Sequence, residues 1–244
     1  MSFIQITVNG KLSRYLHRQL KSHVLSLEDL QVSESKSLLN QAFLILTFSH
    51  TLHIDTLVAY KDETNFYHSI LSKLPASTHI IYISSQTLEL SSQTYYSKAK
   101  QVIEQLISSG DNPYTIIRPG MIFDTDTNQF FLESMNKAAK SLITFYNDTP
   151  KTTVCAACDI SSLIDSITKQ PTRYMNQTLN LGLKRFTFSQ IQDFQKRRQR
   201  FPAMAFYILC LLGYFMPRLR AYCFGGALAE APSLAVPSSF DGET

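Results

Sequence analysis

Residues 79–120, HIIYISSQTLELSSQTYYSKAKQVIEQLISSGDNPYTIIRPG, contain the pattern that decides the fold. The apolar run at 79–84 predicts a buried strand, and the apolar spacing within 94–108 predicts a helix. A second strand is predicted at 114–118. A strand, a helix and a strand in this order form the repeating unit of a parallel sheet, in which the helix covers one face.

The same alternation extends from this stretch in both directions. Further strands are predicted at 3–8, 23–27, 42–48, 152–157 and 178–182. Helices are predicted after Gly10, at 62–73, near 129–140 and after an N-cap at Asp159. Several of the strands are continuously apolar, which is typical of strands that are covered on both faces. The sequence therefore predicts a doubly wound α/β sheet.

The composition is that of a globular protein with one deficit. The chain has 244 residues, of which 44% are apolar and 17% charged, so it is neither a disordered tail nor a coiled coil. A net charge of +4 is too small for a dedicated nucleic-acid binder, and we expect no nucleic-acid partner. Glycine occurs only 8 times, about half of the usual ~7%, so glycine-rich phosphate loops are few.

Basic side chains concentrate between Lys184 and Arg220, a segment with eight cations and one acid. Inside it lies the uncharged run 201–217, which is flanked by arginine. Three interpretations stay open for this run: a core or dimer helix, an interfacial membrane anchor, and a transmembrane helix. An anchor would make a membrane surface a partner through 197–220 and would place the protein at the inner face of the membrane.

Cysteine usage and the first ten residues predict a cytoplasmic protein. The four cysteines do not form a secreted disulfide framework, and MSFIQITVNG lacks the features of a signal peptide. Cys155 and Cys158 have zinc-ligand spacing but lack a second pair, so we interpret them as small buried hydrophobes. His50, His53 and Asp55 are interpreted as loop residues near a cofactor, and no metal is predicted.

Three side chains predict a site for proton transfer. Tyr96 and Lys100 are four residues apart on a predicted helix, so they lie on one face. An ammonium group near a phenol stabilises the phenolate and lowers its pKa from the usual value near ~10. Ser85 ends a buried strand, where α/β sheets place their active sites, and its hydroxyl is suited to bind a substrate oxygen. Tyr95 is less suitable, because Ala99 stands four residues after it.

These residues also carry a resemblance to a known family. A strand followed by Ser-Ser, and then Tyr-x-x-[Ser/Ala]-Lys-x-x-x-Glu, is matched by 83–85 and by 96–104. A later strand ending in Arg-Pro-Gly is matched by 118–120. In these motifs the chain resembles the extended, NAD-dependent epimerase/dehydratase branch of the short-chain dehydrogenase/reductase superfamily. The likeness is good over 79–182 and faint beyond 183.

The resemblance implies a fold, a reaction and roles for residues. It implies a Rossmann-like dinucleotide-binding domain over 1–182, with 121–150 partly a substrate lobe. A small, mainly helical C-terminal lobe for substrate or partner interaction follows at 183–244. Tyr96 would be the catalytic acid/base, Lys100 its activator and a ligand of the nicotinamide ribose, and Ser85 the group that holds the substrate oxygen. The family transfers a hydride to or from NAD or NADP, commonly on a nucleotide sugar, and often forms homodimers.

The cofactor motif of this branch, Thr-Gly-x-x-Gly-x-[Ile/Leu]-Gly, aligns with residues 6–13. Gly10 is retained where the backbone approaches the pyrophosphate, whereas Thr7 and Ser13 replace the outer glycines. An acidic residue about 20 positions later, Glu28 or Asp29, would bind the adenosine ribose and favour NAD. The resemblance thus implies the following cofactor-binding residues: Asn9, Gly10, Lys11, Leu12, Glu28, Lys100, Arg118 and Pro119.

Two functional hypotheses follow from these observations. The first is an NAD(P)-dependent oxidoreductase or epimerase, favoured by the intact serine, tyrosine and lysine. The second is a non-catalytic relative that acts as a binding, scaffold or regulatory protein, favoured by the altered glycine motif and by the short segment between the strands at 23–27 and 42–48.

Overall fold

The computed structural model describes residues 3–6, 10–25, 42–49, 55–86, 94–127, 129–131, 144–145, 152–182, 185–186, 200–201 and 234–236. Their strands are β1 (Phe3–Ile6), β2 (His23–Leu25), β3 (Phe43–Leu46), β4 (His79–Ile83), β5 (Tyr114–Pro119), β6 (Met121–Asp124), β7 (Gln129–Phe130), β8 (Thr144–Phe145), β9 (Thr152–Ala156), β10 (Gln177–Leu181), β11 (Arg185–Phe186), β12 (Arg200–Phe201) and β13 (Leu234–Val236). Their helices are α1 (Lys11–Leu20), α2 (Leu57–Leu71), α3 (Tyr95–Ser108), α4 (Ala157–Lys169) and the short α5 (Pro171–Tyr174).

Within the described residues the main sheet has seven strands, in the order β2-β1-β3-β4-β5-β10-β13. Every neighbouring pair is parallel. The strand order reverses at β1, because the chain runs from β1 to β2 on one side and then continues from β3 on the other. In open sheets of this kind ligands bind at the carboxyl ends of the strands beside such a reversal. The predicted doubly wound, Rossmann-like α/β fold is confirmed.

Helices cover both faces of this sheet, which explains the continuously apolar strands. On one face Leu44 and Tyr82 belong to a core cluster with side chains of α2 and α3. On the other face Ile45 and Ile81 belong to a cluster with side chains of α1 and α4. Successive residues of a strand point to opposite faces, so a strand between two helix layers needs apolar residues at every position.

Two helices begin earlier than the sequence pattern indicates. Helix α2 begins at Leu57 rather than at 62, because the Thr56 side chain accepts a hydrogen bond from the Ala59 amide at 3.3 Å and caps the helix. The N-cap prediction at Asp159 is wrong. Helix α4 begins at Ala157, and Asp159 lies in its first turn, where its carboxylate accepts a hydrogen bond from the Ala156 amide at 3.0 Å.

The predicted helix near 129–140 is wrong at its start. Gln129–Phe130 pairs antiparallel with β6 in a second, four-stranded sheet of order β11-β9-β6-β7, and 132–143 lie outside the described residues.

Of the predicted C-terminal lobe, 183–244, the structure describes three short strands. Leu234–Val236 forms β13 at the edge of the main sheet beside β10, and the division of the chain at residue 182 stays a prediction. The apolar run lies outside the described residues except for Phe201. Within the described ranges, no helix has the length and apolar character needed to cross a membrane.

Candidate active site

The structure brings the three predicted catalytic side chains together at the carboxyl edge of the main sheet. Ser85 is buried and lies two residues after the end of β4. Tyr96 lies in the first turn of α3, and its phenol is hydrogen-bonded to the Ser85 side chain. Lys100 follows one turn later and is buried, with its Nζ 5.7 Å from the centre of the Tyr96 ring.

The start of α3 is fixed by two side chains that act as caps. Thr94 accepts a hydrogen bond from the Ser97 amide at 3.1 Å. Asp55, which is buried just before α2, accepts one from the Tyr96 amide at 3.0 Å. Negative charge at a helix N-terminus is favourable, so Asp55 stabilises the turn that carries Tyr96.

Asp55 therefore has a structural role that the sequence did not predict. His50 and His53, with which it was grouped, lie outside the described residues. Within the described ranges no group of histidine, cysteine, aspartate and glutamate side chains is suited to hold a metal ion. Cys155 is fully buried in the core, as predicted, and Cys158 is partly buried.

The surroundings of Lys100 include a carboxylate that the sequence analysis missed. Oε1 of Glu63, on α2, lies 4.0 Å from Lys100 Nζ, and the two side chains are 0% and 3% exposed. Lys100 Nζ also lies 4.9 Å from the centre of the Tyr82 ring, a distance at which a cation is attracted to an aromatic face. The sequence signal that could have identified Glu63 is its spacing of four residues from both Ala59 and Tyr67, which places a charged residue in the apolar stripe of α2.

The expected lowering of the Tyr96 pKa does not occur in this structure. The pKa of Tyr96 is raised to about 12, and burial is the largest cause. The hydrogen bond from Ser85 lowers this pKa, and the negative charge of Glu63 raises it. Burial also lowers the pKa of Lys100, while the charges of Glu63 and Glu104 raise it. The prediction from spacing was wrong because it omitted burial and the carboxylate of α2.

Three of the predicted cofactor-binding residues, Gly10, Lys11 and Leu12, lie at the start of α1. Gly10 is the N-cap residue with an extended backbone, and among the described residues no side chain caps the helix. Lys11 is exposed, Leu12 is half-buried, and the first turn contains no acidic residue. The amide groups and dipole of such a helix start favour an anion. Asn9 and Glu28 lie outside the described residues.

The other two predicted cofactor residues lie at the end of β5. The Arg118 guanidinium donates to both carboxylate oxygens of Glu104 on α3, at 3.0 Å and 2.5 Å, and Pro119 is buried. This bidentate pair joins β5 to the helix that carries Tyr96 and Lys100. A cofactor-binding role for Arg118 and Pro119 stays a prediction.

Gln86 is a further polar residue of this edge that the sequence analysis missed. It follows Ser85 directly and is buried. Its Nε2 donates to the Leu181 carbonyl at 2.9 Å, and its Oε1 accepts a hydrogen bond from the Thr153 hydroxyl. Gln86 therefore connects the segment that follows β4 to β10 and to β9 of the second sheet, next to the candidate site.

Comparison with solved structures identifies the fold of this chain. No protein-family model matches the chain, and no curated protein does. Among solved structures, a nucleoside-diphosphate-sugar epimerase from Staphylococcus aureus is similar, with 13% identity, a TM-score of 0.67 and coverage of 95% of this chain and 92% of that chain. The chain has the fold of this enzyme.

Two further structures carry bound cofactors. dTDP-4-dehydrorhamnose reductase from Bacillus anthracis, in complex with NADP, is 14% identical with a TM-score of 0.65, over 97% of this chain and 95% of that chain. UDP-glucuronic acid 4-epimerase from Bacillus cereus, in complex with NAD and UDP-4-deoxy-4-fluoro-glucuronic acid, is 11% identical with a TM-score of 0.62, over 83% and 86%. The structural neighbours therefore include NAD- and NADP-bound enzymes of nucleotide-sugar chemistry.

Proposed function

We propose that this chain is an NAD(P)-dependent oxidoreductase or epimerase that acts on a hydroxyl- or keto-bearing carbon of a nucleotide sugar. The observation that carries the proposal is the hydrogen bond between Ser85 and Tyr96, with the Lys100 ammonium one helical turn away. A serine and a tyrosine hydroxyl that meet at the carboxyl edge of a parallel sheet are suited to bind one carbonyl or carbinol oxygen.

The residues around α1 fit a dinucleotide. The start of this helix offers amide groups and a positive dipole end to a pyrophosphate, and its first turn contains no acidic residue. Gly10, Lys11 and Leu12 would hold the pyrophosphate, and Lys100 the nicotinamide ribose. The dinucleotide, when bound, supplies hydride transfer.

The protonation state of Tyr96 favours one direction of the chemistry. With a pKa of about 12, the phenol keeps its proton at neutral pH. Ser85 would orient the carbonyl oxygen of a substrate, and Tyr96 would donate its proton to that oxygen as a general acid. The isolated site is therefore better suited to reduce a carbonyl than to remove a proton from a hydroxyl.

Titration with NADH and NADPH tests the proposal. The protein contains no tryptophan, so the reduced nicotinamide fluorescence can be followed with little interference, together with the thermal shift. We expect micromolar binding that Lys100→Ala weakens at least about tenfold. Lys98→Ala, which removes an exposed lysine of the same helix, is the matched control and should leave binding unchanged. The absence of binding up to millimolar dinucleotide refutes the proposal.

Turnover is tested with the substrates of the structural neighbours. UDP-glucuronic acid and dTDP-4-dehydrorhamnose are offered with the dinucleotides, and absorbance at 340 nm and the sugar products are measured. Tyr96→Phe keeps the ring and should bind the dinucleotide normally while losing turnover about 100-fold or more. Ordinary turnover by this variant contradicts the role of Tyr96.

A non-catalytic binding, scaffold or regulatory protein is the second candidate. The observation that favours it is the replacement of the outer glycines of the cofactor motif by Thr7 and Ser13. This candidate predicts dinucleotide or nucleotide-sugar binding without turnover, and identical behaviour of wild type and Tyr96→Phe in every turnover assay.

A further inference from the structure

We propose that Glu63 is a positioning residue of the candidate site, which holds the Lys100 ammonium beside the Tyr96 ring. The inference rests on the proposed function and extends it to a residue on α2, a different helix from the one that carries Tyr96 and Lys100. Nothing in the motif around Tyr96 points to position 63.

The placement of Glu63 follows from the packing of α2 against α3. Ala59, Glu63, Tyr67 and Ile70 are spaced by four, four and three residues and are all buried, so they share the inward face of α2. Glu63 is the charged member of this stripe. Its Oε1 lies 4.0 Å from Lys100 Nζ, and its side chain is 0% exposed.

Among the described residues, the ionisable groups that face this pair come from three elements. Helix α2 contributes Tyr67, whose hydroxyl donates to the Phe48 carbonyl at 2.7 Å. Strand β4 contributes Tyr82, whose ring centre is 4.9 Å from Lys100 Nζ. Helix α3 contributes Tyr96 and Glu104, and Glu104 is paired with Arg118.

A buried ion pair is poor evidence for stability. The cost of removing two charges from water often exceeds their mutual attraction, and apolar replacements of such pairs are commonly neutral or stabilising. An ammonium buried among aromatic rings and carboxylates is therefore better explained by a role of the lysine in the reaction. In the proposed reaction Lys100 has to keep a positive charge in a fixed position beside Tyr96.

Glu63 acts on both members of the tyrosine–lysine pair. Its charge raises the pKa of Lys100 against the larger lowering caused by burial, and so favours the protonated lysine. The same charge raises the pKa of Tyr96, so the phenol keeps its proton as well. Glu63 thus favours the state in which a cationic lysine stands beside a neutral proton donor.

The test compares Glu63→Gln with Asp62→Asn, which removes an exposed carboxylate from the neighbouring position of the same helix. The protonation of Lys100 is followed by NMR in protein labelled with ¹³Cε-lysine, and Lys100→Arg assigns the signal. We expect the titration midpoint of Lys100 to fall by about one pH unit or more in Glu63→Gln, as for the loss of an opposite charge at this distance. Asp62→Asn should leave it unchanged.

The affinity for NADH as a function of pH provides the functional readout. In Glu63→Gln we expect affinity to decline at a lower pH than in wild type, by the same interval as the Lys100 midpoint. If Glu63→Gln does not fold, Glu63→Asp keeps a carboxylate at a greater distance and is expected to shift the midpoint in the same direction by less.

The outcomes separate the inference from the function on which it rests. An unchanged Lys100 midpoint in Glu63→Gln overturns the inference, whatever the dinucleotide result. A shifted midpoint with an unchanged pH dependence of NADH affinity overturns the positioning role. If wild type binds no dinucleotide, the proposed function is refuted. A shift of the Lys100 midpoint in Glu63→Gln then reports only a structural ion pair, and the positioning role is overturned as well.

Discussion

His79 gives the chain a stability that depends on pH. It lies buried at the start of β4, at the end of the sheet opposite to the candidate site. Its Nε2 is 2.8 Å from Thr115 Oγ1, and that hydroxyl donates to the Tyr174 carbonyl at 2.9 Å. Because the hydroxyl proton is already donated, the hydrogen-bond network assigns the proton of the neutral ring to His79 Nε2.

The magnitude follows from the pKa of this side chain. Burial lowers the pKa of His79 from 6.5 to about 4. The unfolded chain therefore takes up a proton below pH 6.5 that the folded chain does not take up until about pH 4. Stability is lost as the pH falls through this window and is constant above it. Each pKa unit is worth about 1.4 kcal/mol, so the loss attributable to His79 is about 3 kcal/mol.

The assay is urea unfolding, followed by circular dichroism at several pH values between 4 and 8. The variant His79→Gln keeps an amide donor for Thr115 and cannot titrate. We expect the stability advantage of wild type over His79→Gln to shrink by about 3 kcal/mol between pH 7 and pH 4. The variant His68→Gln, at an exposed position of α2, is the control. A difference between wild type and His79→Gln that is constant with pH refutes the reasoning.

Two further predictions concern positions around the site. Gly120→Ala would place a Cβ against Thr153 Oγ1 and the Thr153 backbone, so we expect a loss of about 1–3 kcal/mol in urea unfolding, whereas Gly110→Ala meets only ordinary contacts and should cost less than about 1 kcal/mol. Equal losses contradict the packing argument. Arg118→Met should cost about 2 kcal/mol, because it leaves Glu104 without its bidentate partner. A normal stability with a main loss in dinucleotide affinity would instead assign Arg118 to the cofactor.

Most of the order of strands and helices was predictable because it depends on local periodicity, although Gln129–Phe130 is a strand where a helix was predicted. The strands at 42–48 and 79–84 are apolar at every position, and this pattern occurs where helices cover both faces of a sheet. The starts of helices were less predictable. Thr56 is the N-cap of α2 and Ala156 is the N-cap of α4. Capping depends on which side chain meets the first free amides, and several polar residues near each start qualify.

The chain also shows why a spacing motif does not fix the chemistry of its residues. Four positions on a helix bring Tyr96 and Lys100 to one face, and the structure has them there. The pKa of the phenol depends on burial and on every charge nearby, and Glu63 is 33 residues away in sequence from Tyr96. The prediction from the motif alone therefore gave the wrong direction for the shift of the Tyr96 pKa.

By itself the sequence determined the doubly wound sheet and the meeting of Ser85 with Tyr96. A strand end and the start of the following helix lie close together in any such fold, so local pattern and spacing are sufficient. Only the tertiary structure decided that Glu63 would stand beside Lys100 and that Asp55 would cap the turn of Tyr96. Both contacts depend on how α2 packs against α3, and this packing is set by side-chain shapes and burial across elements that no local period records.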